Sequence, residues 1–506
     1  MGQYTINNIE SRAYDLKNDI DNIYRALNTK TGKSPATLDQ VPGYILDIQI
    51  SEPITQESLT ITPSVEYQYF SSYDDTKYDP IEVEPVTSSI DSNIQPENIK
   101  LGVSILGVRG TLSGSGPGVF VVPDGMKFGY SNITEIPSNV NFTNVTDMDN
   151  LFADCAQLTS IPQLNTSGTN SMVRMFANCS KLTSIPQLDT SNVYDMDSMF
   201  SGCNGLTAIP ELNTSNVTKM NSTFYGCSQL TTIPHLDTSS VTSMDNMFAF
   251  CTQLTSIPQL DYSNVESMEN IFSHCESLTT IPQLDIPNVG KLNGMFKYCT
   301  SLTTIEGINT SSIWSMNSTF EGCSSLTSIP QLDTSSVDSM QSMFAGCSSL
   351  TTIPQLDFSH AGDISHLFES CTNLTTIPQL NTSRAWNMEW LFNYCDNLTT
   401  VEGIDFSGLT SELSLLIGYK TDTSKLTRFI VNGKINVSIG EYSIDVLTSI
   451  DYDSVKSILA AADRTDNTDA KTLAFNHTMT DQNGELAALV ASCSTKGWTI
   501  TGLTLQ

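Results

Sequence analysis

Hydrophobic residues recur at fixed positions, every 24 residues, through the middle of the chain. At each interval a cysteine has a Phe three residues before it and a Leu three residues after it, and no insertion interrupts the series. A fixed period of 20 to 29 residues with aliphatic ladders is typical of a leucine-rich-repeat solenoid. The eleven cysteines of the series are Cys155, Cys179, Cys203, Cys227, Cys251, Cys275, Cys299, Cys323, Cys347, Cys371 and Cys395. The sequence therefore predicts an α/β repeat solenoid, similar to a leucine-rich-repeat protein, with 24-residue units.

The spacing of hydrophobic positions within one unit predicts one helix and one strand. From Met340 to Cys347 they follow i, i+3, i+4 and i+7, which is the stripe of a short amphipathic helix, and Gly346 would let that helix end. Residues 350–353 are rich in β-branched side chains and precede Pro354, which predicts a strand that stops at the proline. Each unit would then contribute one strand to a stack of parallel strands.

An Asp or Asn follows the predicted strand in nearly every unit. Its side chain can accept the backbone N–H two residues further on and so begin a turn. Calcium binding by the repeated carboxylates is the alternative, although the turn predicts the same pattern without metal. These positions are Asn165, Asp189, Asn213, Asp237, Asp261, Asp285, Asn309, Asp333, Asp357, Asn381 and Asp405.

The first 33 residues carry a different hydrophobic pattern. Apolar side chains follow alternating steps of three and four, which is the a/d seam of a coiled coil. Because Ile at these positions favours trimers or tetramers, we expect a trimer. A single amphipathic helix that lies on a partner is the alternative. The seam residues expected to mediate oligomerisation or attachment are Ile6, Ile9, Leu16, Ile20, Ile23 and Leu27.

The remaining segments divide by composition. Residues 34–112 predict a small β-rich module, and residues 113–118 a Gly/Ser linker. The solenoid spans 119–407. In residues 408–506 helical and strand patterns alternate, with helices at 453–462 and 484–493 and strands at 471–475 and 498–503. We expect this part to be an α/β cap on the open end of the solenoid, with Trp498 in its core.

Composition excludes several classes of partner. The chain has 54 acidic and 23 basic residues, a formal net charge of −31. Binding to nucleic acid or to an anionic membrane surface needs clusters of Lys and Arg, so neither partner is expected. No run of 18 apolar residues predicts membrane insertion. The first residues carry no recognisable secretory signal, so export by that route is not expected.

Residues that could carry chemistry are scarce. No zinc-protease motif, phosphate-binding loop or nucleophile elbow is present, so we predict no enzyme, no cofactor and no metal site. Stacked cysteines could bind metal or form disulfides. A free cysteine is also a small buried hydrophobe, and we favour reduced thiols in the core.

Departures from the repeat are the better guide to a binding site. In three successive units an aromatic residue or His stands directly before the cysteine, where other units have Gly. Two tryptophans also occupy one common position of the repeat, where other units have Thr, Glu or Gly. Exposed aromatic columns suit recognition of sugars or proteins. Local packing against a threonine ladder is the alternative. The candidate receptor-binding residues are Phe250, His274, Tyr298, Trp314, Trp386 and Trp390.

Two segments resemble known families. Val241-Thr-Ser-Met244-Asp-Asn-Met247-Phe248-Ala-Phe-Cys251 is similar to the repeat of BspA-type leucine-rich-repeat proteins, in the subgroup with a Met-Phe-x-x-Cys segment. That resemblance covers about half of the chain and implies surface adhesion or binding. The stretch from Asn98 to Thr111 resembles a linker module of phage tail and fibre proteins. This second resemblance is short and implies a virion protein.

Together these features predict a phage virion protein of the tail, baseplate or head fibre. Its N-terminus would attach to other virion proteins, and its solenoid would recognise a glycan or protein on the host surface. It would assemble in the host cytoplasm and be exposed on the virion. A bacterial BspA-like cell-surface adhesin is the alternative, and it would need secretion and anchoring. A carbohydrate-active enzyme is a distant third hypothesis.

Overall fold

A computed structural model of the chain describes residues 46–47, 62–63, 104–105, 108–109, 120–122, 124–129, 131–136, 140–409, 425–435, 440–443, 447, 449–464, 470–481 and 483–506. The described residues of 1–121 with 137–141 form one unit, and those of 122–136 with 142–506 form a second. The predicted coiled-coil seam from Ile6 to Leu27 and the linker at 113–118 lie outside the described residues.

The first unit contains short paired strands. In antiparallel pairs, β1 (Leu46–Asp47) lies beside β2 (Thr62–Pro63), and β3 (Ser104–Ile105) lies beside β4 (Val108–Arg109). The parallel pair is β5 (Phe120–Val121) with β6 (Val140–Asn141). The strands β1 to β4 lie within the segment for which the sequence predicts a β-rich module.

Coils of the second unit are joined by parallel backbone hydrogen bonds, which confirms the predicted repeat solenoid. Met340 N donates to Asp363 O at 3.0 Å, and Phe344 N donates to Leu367 O at 3.0 Å, each in the next coil. Between these donors, Met343 N bonds within its own coil to Met340 O at 3.1 Å. Within each coil, some backbone N–H groups therefore bond inside the coil, and others bond to the next coil.

The helix predicted at residues 340–347 does not form, and this part of the prediction is wrong. The segment is a series of turns in which Ser342 and Gly346 are left-handed, with φ of +55° and +75°. All eleven coils have left-handed residues at these two positions, with φ between +55° and +75°. An α-helix would use its N–H groups inside the segment. In this segment alternate N–H groups donate to carbonyls of the next coil, so they cannot form the hydrogen bonds of a helix.

Among the described coils of the second unit, regular strands form only from Thr376 onwards. Residues 350–353 make a single bridge, between Thr352 and Thr376, rather than the predicted strand. The parallel sheet has the order β7 (Thr376–Ile377), β8 (Thr400–Asp405) and β9 (Arg428–Asn432). The strand β9 extends the solenoid sheet beyond residue 407, where the sequence predicts the solenoid to end.

Stacked Phe and Cys side chains form the core. The rings of Phe152 and Phe176 lie 5.7 Å apart with planes only 6° from parallel, and this stacking continues to Phe392. Each cysteine of the series donates its S–H to the carbonyl of a Phe in the preceding coil, as Cys179 Sγ does to Phe152 O at 3.1 Å. All twelve cysteines are free and buried. Burial raises the pKa of the thiol to about 12 at Cys203, Cys251, Cys323 and Cys395.

The turns that follow the strand positions form as predicted in most coils. Asp333 Oδ1 accepts Ser335 N at 3.1 Å and Ser335 Oγ at 2.7 Å. These two hydrogen bonds, the hydroxyl first, lower the pKa of the Asp333 carboxyl. Asp285 is an exception because Pro287, two residues on, has no N–H to donate. The repeated acidic positions thus have a structural role that requires no metal.

The C-terminal part alternates strands and helices, and the order is β10 (Gly440–Ser443), α1 (Tyr452–Asp463), β11 (Lys471–Met479), α2 (Glu485–Thr495) and β12 (Trp498–Leu505). The three strands are parallel in the order β10-β11-β12. Asp451 begins α1 as its N-cap by accepting Ser454 N at 2.8 Å. Trp498 is buried, and its Nε1 donates to Ala462 O at 3.1 Å, so it is a core residue as predicted.

Candidate functional site

Three of the candidate residues form one aromatic column. The rings of Phe250 and His274 stack with centroids 4.3 Å apart and planes 9° from parallel, and His274 and Tyr298 stack at 4.7 Å and 28°. Tyr225 adds a fourth ring at 5.3 Å from Phe250. Phe250 and Tyr298 each keep 39% of their surface exposed. We call these four residues the aromatic column.

The backbone explains why the column can form. Phe250, His274 and Tyr298 have φ of +63°, +60° and +57°, in the left-handed region that favours glycine. Other coils use Gly at the same position, including Gly322 in the coil after Tyr298. A Cβ on Gly322 would lie 2.4 Å from the Tyr298 ring, so this glycine makes room for the last ring. The rings sit on a strained backbone and cover one another's faces.

Charge around the column is limited. Lys297 Nζ lies 5.6 Å from the centroid of the Tyr298 ring and pairs with Glu321 at 2.8 Å. Burial is the largest influence on His274 and lowers the pKa of its imidazole. His274 is therefore neutral near pH 7, and the stack contains no buried charge at that pH.

The two tryptophans that share a phase have matching surroundings. Trp314 is 48% exposed and Trp386 is 50% exposed. Each lies against a glycine one coil earlier: Nε1 of Trp314 would be 2.6 Å from a Cβ on Gly290, and Nε1 of Trp386 would be 2.7 Å from a Cβ on Gly362. Lys291 Nζ also lies 4.9 Å from the centroid of the Trp314 ring. The indoles fill space that a larger residue in the preceding coil would occupy.

Trp390 belongs to neither of these groups. Its side chain is partly buried, and its ring stacks with that of His366 at 6.0 Å and 18°. His366 Nδ1 lies 2.7 Å from Glu369 Oε2. The structure thus joins Phe250, His274 and Tyr298 by direct contact. It places Trp314 and Trp386 in one line three coils apart, and Trp390 in a separate pair.

Sequence reasoning missed two exposed aromatic residues. Tyr225 lies two residues before its cysteine, whereas Phe250 lies one residue before its own, so the two do not share a position in the repeat. Their rings are nevertheless in contact. Tyr194 is 47% exposed and occupies the phase of Trp314. Counting every aromatic side chain at that phase, and not only Trp, would have found Tyr194.

A groove of about 740 Å³ runs along the Gln, Leu and Asp positions of four C-terminal coils. Its polar groups already serve the stack: Gln331 Nε2 donates to Gln355 O at 2.7 Å, and Thr334 Oγ1 donates to Asp357 O at 2.8 Å. The side chains that line this groove therefore have a structural explanation, unlike the exposed aromatic residues.

Among the residues that the structure describes, no group of three or more His, Cys, Asp or Glu side chains is placed to hold a metal ion. No helix in these same regions is long and apolar enough to cross a membrane.

A protein-family model with the description "Mycoplasma protein of unknown function, DUF285" matches residues 124–232, 204–304 and 290–402. Together these matches cover more than half of the 506 residues and coincide with the described solenoid coils. No curated protein matches the chain.

Two solved structures are among those similar to this chain. The leucine-rich-repeat protein TpLRR of T. pallidum is 21% identical, with 30% of this chain and 68% of that chain covered and a TM-score of 0.25. A leucine-rich-repeat protein from Eubacterium ventriosum is 15% identical, with 53% and 78% covered and a TM-score of 0.28.

Proposed function

This chain belongs to the DUF285 family, and we propose that it is a recognition protein whose solenoid presents aromatic side chains to a partner on a cell surface. The observation that carries the proposal is the set of large aromatic residues that stay exposed on the solenoid. They are Tyr194, Tyr225, Phe250, Tyr298, Trp314 and Trp386, all between 37% and 50% exposed.

The cost of these residues supports a role in binding. Phe250 and Tyr298 occupy left-handed positions where Gly serves in other coils, so the stack does not need an aromatic side chain there. Aromatic residues dominate the binding energy of many interfaces, because one rigid side chain buries a large area. In this proposal the phenylalanines and cysteines of the core build the scaffold, and the exposed aromatic residues bind.

Two classes of protein are candidates for a chain with such a recognition solenoid. A bacterial surface adhesin agrees with the BspA-type repeat. A virion protein is the second candidate, and the resemblance of residues 98–111 to a phage linker module supports it. In that case the seam from Ile6 to Leu27 would trimerise the chain and attach it to other virion proteins.

Attachment of the purified full-length protein to a panel of bacterial and animal cells tests the recognition role. A triple variant with Phe250→Gly, His274→Gly and Tyr298→Gly, and a double variant with Trp314→Thr and Trp386→Thr, replace aromatic residues by those of other coils. Thr255→Ala, at an exposed threonine, is the control. We expect at least one aromatic variant to lose attachment by about tenfold or more while its melting temperature stays close to that of the control. Two stable aromatic variants that attach at wild-type strength would refute the proposal.

A separate experiment distinguishes the adhesin from the virion protein. An antibody against the solenoid should label phage particles if the virion candidate is right, and bacterial envelopes if the adhesin candidate is right. Neighbouring genes give a second readout, because phage structural genes accompany a virion protein and secretion or anchoring genes accompany an adhesin.

A further inference from the structure

Trp314, Asp338 and Trp386 stand on one line of adjacent coils. Asp338 N donates to Trp314 O at 2.9 Å, Gly362 N donates to Asp338 O at 2.8 Å, and Trp386 N donates to Gly362 O at 2.9 Å. These bonds place the residues in consecutive coils of one parallel ladder. The two tryptophans are three steps apart, roughly 14 Å at the ~4.8 Å spacing of paired strands. We call Trp314, Asp338 and Trp386 the tryptophan strip.

The strip is built the same way at both ends. Gly290 and Gly362 each precede a tryptophan by 24 residues, and each removes the side chain that would collide with the indole. Any Cβ at these glycines would lie within 3.1 Å of two indole atoms. The glycines therefore act as positioning residues that let each indole lie against the coil before it.

Polar groups separate and flank the two indoles. Asp338 is exposed one coil from Trp314 and two coils from Trp386. Ser336 is exposed in the same coil, and Val337 between Ser336 and Asp338 is buried. Ser336 and Asp338 therefore both reach the surface of this coil, and Asp338 stands in the ladder between the two half-exposed indoles.

The arrangement matches the chemistry of a sugar chain. A pyranose ring has an apolar C–H face that packs on an indole, and a rim of hydroxyls that donate to carboxylates. Two separated indoles on one line fit a linear molecule better than a compact one. The net charge of −31 and the carboxylate of Asp338 oppose a polyanion.

We propose that the tryptophan strip binds an unbranched, neutral oligosaccharide that lies along the solenoid. Two of its rings pack on Trp314 and Trp386, and the hydroxyls of the sugars between them donate to Asp338. This inference rests on the proposed recognition function and specifies the ligand class for one of its two aromatic groups.

Titration calorimetry and tryptophan fluorescence of the full-length protein test the inference. The probes are cellohexaose, chitohexaose, laminarihexaose and mannohexaose, with hyaluronan hexasaccharide as the anionic comparison. We expect a neutral hexasaccharide to bind and to change the fluorescence. Trp314→Thr or Trp386→Thr should each weaken its affinity roughly tenfold or more, and Asp338→Ala should weaken it several-fold.

Glycine variants separate positioning from direct contact. Gly290→Ser and Gly362→Ser keep both tryptophans but add a side chain in the space that each indole occupies. The indoles must then move, so both variants should weaken sugar binding. Gly307→Ser is the matched control, because a Cβ at Gly307 has no heavy atom within 4 Å. It should bind like the wild type.

Several results would overturn the inference. These are no binding of any neutral hexasaccharide, binding of the anionic probe alone, or sugar affinity unchanged in both tryptophan variants. Cell attachment distinguishes this failure from that of the proposed function. Attachment that depends on the aromatic column but not on the tryptophan strip would retain the recognition role and refute the sugar site.

Discussion

Phe248 and Phe250 are two residues apart, yet their surroundings differ in every respect that matters for stability. Phe248 is fully buried, and its ring stacks between Phe224 at 5.6 Å and Phe272 at 5.8 Å. Phe250 is 39% exposed and sits on a left-handed backbone with φ of +63°. One phenylalanine stabilises the stack, and the other is tolerated by it.

We therefore predict opposite outcomes for the two residues. Phe248→Ala should lower the free energy of unfolding by about 3–5 kcal/mol, because it leaves a cavity in a packed core. Phe250→Gly should change it by less than about 0.5 kcal/mol. Relief of the left-handed conformation, ~1 kcal/mol, offsets the loss of ring stacking, ~0.5–1.5 kcal/mol. Urea denaturation measures both. A loss of about 2 kcal/mol or more in Phe250→Gly would mean that the column holds the fold together.

At the scale of elements, the turn segment between Met340 and Cys347 is defined by its neighbours. Its i, i+3, i+4, i+7 pattern buries the same side chains that a helix would bury. The two left-handed residues in each coil interrupt the helical path and direct alternate N–H groups to the next coil. Backbone bonding between coils therefore replaces backbone bonding within a helix.

Circular dichroism of the full-length protein checks this conclusion. In the described part of the chain, only α1 with 12 residues and α2 with 11 are helical. With the N-terminal seam added, we expect helix in about a tenth of the chain. A helical segment in every repeat would raise the content to about a quarter. A spectrum with that higher content would contradict the turn structure.

At the scale of the whole molecule, a continuous column of eleven buried thiols runs through the solenoid coils. Each of the eleven donates to a Phe carbonyl in the preceding coil, and burial raises the pKa of each thiol above its ordinary value. Thiolates form with difficulty in such surroundings, so the cysteines are unreactive while the stack is intact.

This column predicts a sharp loss of stability in alkali. Because the thiol pKa is higher in the folded protein, folding favours the protonated form, and the benefit is complete below the unfolded pKa of about 8.5. It is lost as pH rises towards about 12, the pKa of Cys251 and Cys323. Each such thiol removes up to about 1.4 kcal/mol per pH unit in this range. Thermal melting from pH 6 to 11 should show a constant midpoint up to about pH 8.5 and a steep fall above it. A midpoint that stays constant to pH 11 would contradict the prediction.

The oligomeric state is a separate prediction, since the seam from Ile6 to Leu27 lies outside the described residues. Light scattering should give the mass of a trimer for the full chain, because isoleucines at seam positions favour three strands. A double variant with Ile20→Asp and Ile23→Asp should be a monomer, with unchanged melting of the solenoid. Equal masses for both proteins would leave the seam without a role in assembly.

The sequence by itself determined the repeat, its period and its buried ladder, because burial every 24 residues leaves a hydrophobic pattern that needs no coordinates to detect. It also predicted the Asx turns and the C-terminal helices, since both depend on neighbours a few residues away. Only the tertiary structure decided that the Met-Phe-Cys segment is turned rather than helical, because inter-coil N–H bonds outweigh a local helical preference. It also placed Gly290 against Trp314 and Gly362 against Trp386, and set the rings of Phe250, His274 and Tyr298 face to face. Contacts between residues one coil apart acquire a geometry only when the coils stack, so the candidate residues were visible in the sequence and their arrangement was not.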